Sequence, residues 1–239
     1  MVQPRRKFHS QESPFILKDV TNDPFLLYQA NLMVAETYRG FTDNTLDLED
    51  VYIELCINDN HQQGYARTIA LLGTNPLTGL QQMLGCIRIM MGDDSKPASE
   101  HLEVKRILDV EGGWDNFIFE GFNEKKAIEF GRLSIAYEFT IGALKEQGLH
   151  LRVIRNLVAG AFQLAKEQFH KDQAWAIMRD HVARAVEQSG IKLIRVPDIM
   201  FKMEQNEEFF RRYQRYWVLK KIGFYKVVPE VNPDVIIEN

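Results

Sequence analysis

A mixed central β-sheet flanked by helices, in the α/β (α+β) class, is what this sequence predicts. Three observations carry the expectation. Residues 127–196 read as strand, helix, strand, helix, strand, an order that calls for at least one parallel crossover. Upstream, two apolar runs at 68–72 and 83–91 flank the turn-rich Gly73-Thr74-Asn75-Pro76-Leu77-Thr78-Gly79, which predicts a hairpin. From Leu151, apolar residues Ile154, Leu157, Val158, Ala161, Phe162, Ala165 and Phe169 recur at three- and four-residue spacing, the mark of a helix with one buried face.

Taken in order, Phe15 to Val20 reads as a first strand. Asp23-Pro24 supplies an N-cap and a proline at the first helical position, and the helix is expected to stop at Gly40. Residues 41–66 are polar and acidic around the short apolar run Val51 to Ile57, an excursion from the core read as a helix plus loop. Residues 92–125 read as irregular, with a short helix at 100–109 and then the aromatics Trp114, Phe117, Phe119 and Phe122. A strand at 127–136 leads through a connector to the long helix. Ala174 to Met178 is a short strand, Asp180 the cap of the next helix, Ser189-Gly190 its end, and Ile191 to Val196 another strand. With no internal repeat and no long linker, one domain over 1–239 is expected. Residues 1–14 lie outside its ordered part, and 197–239 add a helix and a strand.

Composition narrows the function classes. The chain is 45% hydrophobic and 26% charged, ordinary for a globular protein, and its net charge of −4 argues against nucleic acid as a partner. No run of apolar residues is long enough to span a membrane. Cys56 and Cys86 make no disulfide framework, and the basic, polar start lacks the apolar segment of a secretory signal, so a cytoplasmic location is expected. The six histidines show no metal-ligand spacing, and there is no glycine-rich phosphate loop and no Gly-x-Ser-x-Gly elbow. No metal and no resident cofactor is expected.

The chemistry concentrates in Glu129-Phe130-Gly131-Arg132-Leu133-Ser134-Ile135. A carboxylate and a guanidinium in an apolar strand are costly unless paired. Residues three apart in a regular strand face opposite sides, but a β-bulge at Gly131 would turn Glu129 and Arg132 to one side and release a backbone N–H. A structural ion pair at the strand end explains the same residues. Arg88, alone in Leu84-Gly85-Cys86-Ile87-Arg88-Ile89-Met90, suits a bidentate grip on a carboxylate, or else a packed stem with a snorkelling head.

Leu84-Gly85-Cys86-Ile87-Arg88-Ile89, followed by Glu129 to Ile135 and a long helix, resembles the acyl-homoserine-lactone synthases and the related long-chain N-acyl amino acid synthases known from environmental DNA. That resemblance implies a GNAT-like fold and transfer of a fatty acyl group from acyl carrier protein to the α-amino group of an amino acid, tyrosine in the first instance. It implies Glu129 as general base, with Arg132 catalytic beside it. It gives Arg88 and Arg39 as the matching substrate-binding arginines, with Gly131, Leu133 and Ser134 completing the strand.

The sequence departs from the family at Gly131, where a Ser or Cys precedes the arginine, and in having no tryptophan before Trp114. The first departure weighs against an acyl-enzyme route, the second against S-adenosylmethionine as acceptor. The connector Tyr137 to Gly148 lacks the pyrophosphate loop of coenzyme-A-dependent enzymes, which fits a carrier-protein donor bearing acyl-phosphopantetheine. Docking of an acidic carrier would use local basic residues, Arg152 and Arg155 at the start of the long helix, with a lesser candidate in the aromatic and basic segment Glu207 to Lys221. A homoserine-lactone synthase, another GNAT enzyme, or a non-catalytic lipid- or carrier-binding fold are the alternatives.

Overall fold

In a computed structural model, the chain is described over residues 15–41, 47–61, 64–91, 108–110, 113–114, 117, 119–197, 199–201 and 222–238. Among the described residues, ten strands and five α-helices follow in chain order. They are β1 (Phe15–Asp19), α1 (Pro24–Phe41), α2 (Leu48–His61), β2 (Ala66–Thr74), β3 (Gln81–Met91), β4 (Leu108–Val110) and β5 (Ala127–Ile135), then α3 (Gly142–Glu146) and α4 (Leu149–Phe169). After these come β6 (Gln173–Arg179), α5 (Asp180–Gln188), β7 (Lys192–Arg195), β8 (Ile199–Phe201), β9 (Ile222–Val228) and β10 (Val235–Glu238).

Eight strands form one mixed sheet in the order β10-β1-β2-β3-β5-β6-β9-β7, while β4 and β8 pair separately. The predicted hairpin is present as antiparallel β2 and β3, and the predicted crossover places β5 and β6 side by side in parallel, joined through α4. One face of the sheet packs on α1 and α2, where Ala70 and Cys86 meet Ala30, Val34, Ala35 and Val51. The opposite face carries Ile69, Ile87, Ile89, Ile128, Phe130 and Ala176 against Val153, Leu157, Ala161 and Leu164 of α4. This alternation is the period-two pattern of a sheet covered on both sides.

Two glycines set how closely α4 approaches. A Cβ on Gly85 would lie 2.8 Å from Leu157 Cδ1 and 2.8 Å from the Ser134 carbonyl, and one on Gly160 would lie 2.9 Å from Leu17 Cδ2. Both positions exclude any larger side chain without movement of the core.

Several expectations shift. The first helix runs through Gly40 to Phe41, because one glycine costs a helix only about 1 kcal/mol and the packed face of α1 outweighs it. The helix expected within the excursion at 41–66 is present as α2. Residues 108–109, read as the end of a short helix, belong to β4, paired with β8; residues 100–107 lie outside the described residues. Asp180 is the first residue of α5 rather than its cap. Arg179 occupies the cap position and makes no side-chain capping bond. The segment 197–239 supplies β9, which enters the sheet between β6 and β7, and β10, which pairs in parallel with β1. The expected helix at 207–221 lies outside the described residues. No described helix is long and apolar enough to cross a membrane.

Candidate active site

β5 and β6 are joined only from Ala127 to Phe130 and from Gln173 to Ala176. Past that point β5 continues on β3 as far as Ile135, and β6 continues on β9 as far as Arg179. The parallel pair therefore splays, and the edges of Gly131–Leu133 and Ile177–Met178 face each other without ladder hydrogen bonds. A cavity of about 110 Å³ occupies the split.

The bulge that the sequence predicts lies on the β5 wall of this split, one residue further along. Arg88 opposes Gly131 and Cys86 opposes Ser134, so Arg132 and Leu133 together face Ile87. Arg132 takes φ of 51°, the left-handed conformation that glycine adopts most easily, whereas Gly131 is not among the residues with positive φ. The kink thus falls on the arginine itself.

Strand register sorts the side chains. Cys86 Sγ donates to the Ala30 carbonyl of α1 at 3.7 Å, which places Cys86, Arg88 and Met90 on the α1 face. Glu129 pairs laterally with Met90 and with Trp175, and Ser134 with Cys86, so both share that face. Burial pushes the Cys86 thiol up to about 12, against the opposing pull of the Arg132 guanidinium. Arg132 and Leu133 lie opposite Ile87, which belongs to the α4-side core, and both line the cavity at the split.

The cavity crosses the sheet at the split. Its α1 end is polar, bounded by Thr37, Tyr38, Ser134 and Arg179, its other end is apolar, closed by Val158 of α4, Val182 and Val186 of α5, and Val227 of β9, and Arg132 lines it at the kink. Gly131 and Leu133 line it as well. Ser134 is 2% exposed, and its hydroxyl has no hydrogen-bond partner among the described residues. A Cβ on Gly131 would meet nothing nearer than the Met90 methyl at 3.7 Å, so the missing Ser or Cys at this position is not a matter of space.

Glu129, 2% exposed, sits at the apex of the split beside the last joined pair, between Met90 and Trp175 rather than in the cavity wall. Arg88, 4% exposed, lies one strand behind, where its Nη2 donates to the Met90 sulfur at 3.3 Å. Arg39 falls in the last turn of α1, and its side chain lies outside the described residues. Arg152 and Arg155 are not brought to the cavity. Arg152 Nη2 pairs with Asp234 Oδ2 at 2.8 Å, its guanidinium lies 4.7 Å from the Phe15 ring centroid, and Arg155 Nη2 donates to the Asn232 carbonyl at 3.3 Å. The aromatics Trp114, Phe117, Phe119 and Phe122 pack with Trp175 and Phe224 in a cluster on the α1 side of the sheet instead of lining the cavity.

Sequence reasoning passed over Arg179, the last residue of β6 and a part of the cavity wall. The signal was available: an arginine ending the apolar run Ala174 to Met178 is the same anomaly that singled out Arg88 and Arg132. Tyr38, at the end of α1, reaches the cavity only through tertiary packing.

No protein-family model matches the sequence, and no curated protein matches it. Solved structures do match. An N-acyl amino acid synthase from uncultured soil microbes is 11% identical with a TM-score of 0.47, the match covering 94% of this chain and 97% of that one. The spermidine N-acetyltransferase of Vibrio cholerae, in complex with CoA and spermine, is 9% identical with a TM-score of 0.43, covering 89% of this chain and 94% of that one. An acetyltransferase from Streptococcus agalactiae is 12% identical with a TM-score of 0.43, covering 90% and 98%. On its own strand order and packing, this chain has a mixed central sheet flanked by helices, the architecture that the resemblance implied.

Proposed function

We propose that the chain is an N-acyltransferase that moves a long-chain acyl group from the phosphopantetheine thioester of acyl carrier protein to the α-amino group of an amino acid, tyrosine in the first instance. The observation that carries this reading is the splayed β5–β6 pair, with a bulge on one wall and a cavity running through the sheet. Two strand edges with unjoined backbone groups suit an extended ligand that carries amides, as the pantetheine arm does. The apolar end beneath α4 and α5 suits an acyl chain, and the polar end on the α1 side suits an amino acid.

In this reading the amine nitrogen attacks the thioester carbonyl carbon, the C–S bond breaks, and an amide and a pantetheine thiol result. An amino acid's amine is largely protonated at neutral pH and must lose a proton before attack. Glu129, at the apex and on the face of the polar end, takes that proton through water. Backbone N–H at the Arg132–Leu133 bulge meets the charge that develops on the carbonyl oxygen. Arg132, on the cavity wall, holds the reacting groups, and Arg88 supports Met90 from the strand behind. With Gly131 in place of a Ser or Cys, transfer is direct. The absence of a pyrophosphate loop in the connector favours the carrier-protein donor over coenzyme A, with docking on the basic start of α4 at Arg152 and Arg155. Free thiols at Cys56 and Cys86 suit a reducing cytoplasm.

The test is mass spectrometry after incubation with long-chain acyl carrier protein and a mixture of amino acids, with acyl-CoA and S-adenosylmethionine in parallel. An N-acyl amino acid formed from the carrier donor is the expected product. Its absence rejects the reading, and an acyl homoserine lactone would redirect it. Glu129→Gln should lower turnover by about 10²–10⁴-fold, the usual worth of a general base, with an unchanged melting temperature.

A further inference from the structure

Resting on the acyl-transfer reading, we propose that Arg179 binds the carboxylate of the acceptor amino acid, with Arg132 on the facing wall and the Ser134 hydroxyl beside it. The site therefore selects amines that carry an adjacent anion. The sequence pointed to Arg88 for this grip, but Arg88 lies one strand behind the split and is not part of its described lining.

Three observations place the subsite. Arg179 belongs to β6 and Arg132 to β5, so one arginine stands on each wall of the split. Register puts Arg179 on the α1 face. Trp175, Ile177 and Arg179 alternate along an unbroken β6–β9 pairing, and Trp175 is lateral to Glu129. Ser134, buried, with its hydroxyl unpartnered among the described residues, opens to the same space. The polarity of the cavity then orients the substrates. The acyl chain takes the apolar end below Val158 and Val186, which leaves the acceptor, with its charge, at the arginine end.

Burial makes this grip selective. Arg179 is 4% exposed, and a charge-assisted bond in such a place is stronger than one at the surface. Desolvation lowers the Arg179 guanidinium to about 10, with the neighbouring Tyr38 acting the other way, so it stays charged at neutrality. Its place at a strand end leading directly into α5 fixes the donor fork on rigid backbone, the geometry that a bidentate carboxylate needs.

The probes are N-dodecanoylglycine, which keeps the carboxylate of an acylated product, and N-dodecanoylglycinamide, which lacks the charge. By titration calorimetry, the wild-type protein should bind the acid at least about tenfold more tightly than the amide, and Arg179→Gln should bind both alike, with Arg179→Lys between. In turnover assays, Arg179→Gln should raise KM for the amino acid by about tenfold or more, while KM for the acyl carrier donor stays within about twofold. Equal wild-type affinity for acid and amide overturns the proposal, and needs no variant to fold. It is overturned too if Arg179→Gln keeps the preference, or if the donor KM rises instead, which would assign Arg179 to the pantetheine phosphate. Should no acceptor be acylated at all, acyl transfer itself fails, while the acid-against-amide comparison still decides whether the anion subsite exists.

Discussion

Arg132 joins two roles that usually fall to different residues. It carries the cation of the β5 wall and, at φ of 51°, absorbs the turn of the bulge. A non-glycine residue in this conformation costs about 1–2 kcal/mol, and it persists where surrounding structure holds it. Here β5 is held on both sides of the kink by β3, at Gly131 with Arg88 and at Ser134 with Cys86. Arg132→Gly should therefore be about 1 kcal/mol more stable than Arg132→Ala in urea unfolding, because glycine enters the left-handed region without penalty. Both variants should lose turnover, since both lose the guanidinium. Coincident unfolding midpoints for the two would show that the left-handed backbone is not a constraint at this position.

Among the elements, α4 decides the shape of the cavity, since Val158 closes its apolar end while Leu157 presses on Gly85 of β3. Its closeness to the sheet also depends on Gly160, where helix propensity and packing oppose each other. Replacing a buried helical glycine by alanine gains about 1 kcal/mol of propensity. The new Cβ, however, would fall 2.9 Å from Leu17 Cδ2, and Leu17 is completely buried in β1. Overpacking of this kind costs about 1–3 kcal/mol, so packing should win. Gly160→Ala is expected to lower the melting temperature by a few degrees in differential scanning calorimetry, at about 2–4 °C per kcal/mol for a chain of this size. An increase would mean that β1 yields to the helix.

At the scale of the whole molecule, the sheet is closed late in the chain. β9 lies between β6 and β7, and its Phe224 and Tyr225 enter the cores on opposite faces of the sheet. A chain ending at residue 221 would leave β6, and with it the Arg179 wall, without its neighbour along Ile177–Arg179. It should show no cooperative thermal transition by circular dichroism. A chain ending at 231 loses the edge strand β10, the Arg152–Asp234 pair and the bonds of Asn232 and Asp234 to Arg155 and Asn156 of α4, and should unfold cooperatively at a somewhat lower temperature. A cooperative transition in the shorter chain would show that β9 is dispensable to the fold.

Local pattern was enough to read the β2–β3 hairpin, the α4 face, the parallel β5–α4–β6 unit and the charged strand at 129–135. Each of these is written in the spacing of neighbouring residues: periods of two and of three to four, turn residues, and a charge where an apolar residue is expected. The bulge was legible in kind, because a glycine between two charges in a strand invites one. Only the register against β3 placed it at Arg132–Leu133, since the extra residue is defined by what it faces. The insertion of β9, the passage of the cavity through the sheet, and the meeting of Tyr38, Arg132, Ser134 and Arg179 belong to tertiary structure alone. These residues come from α1, β5 and β6, and no local periodicity relates them; a sheet places strands by hydrogen-bond partner and not by order in the chain. Sequence by itself singled out the charged strand at 129–135, and the fold decided which of its charges line the cavity.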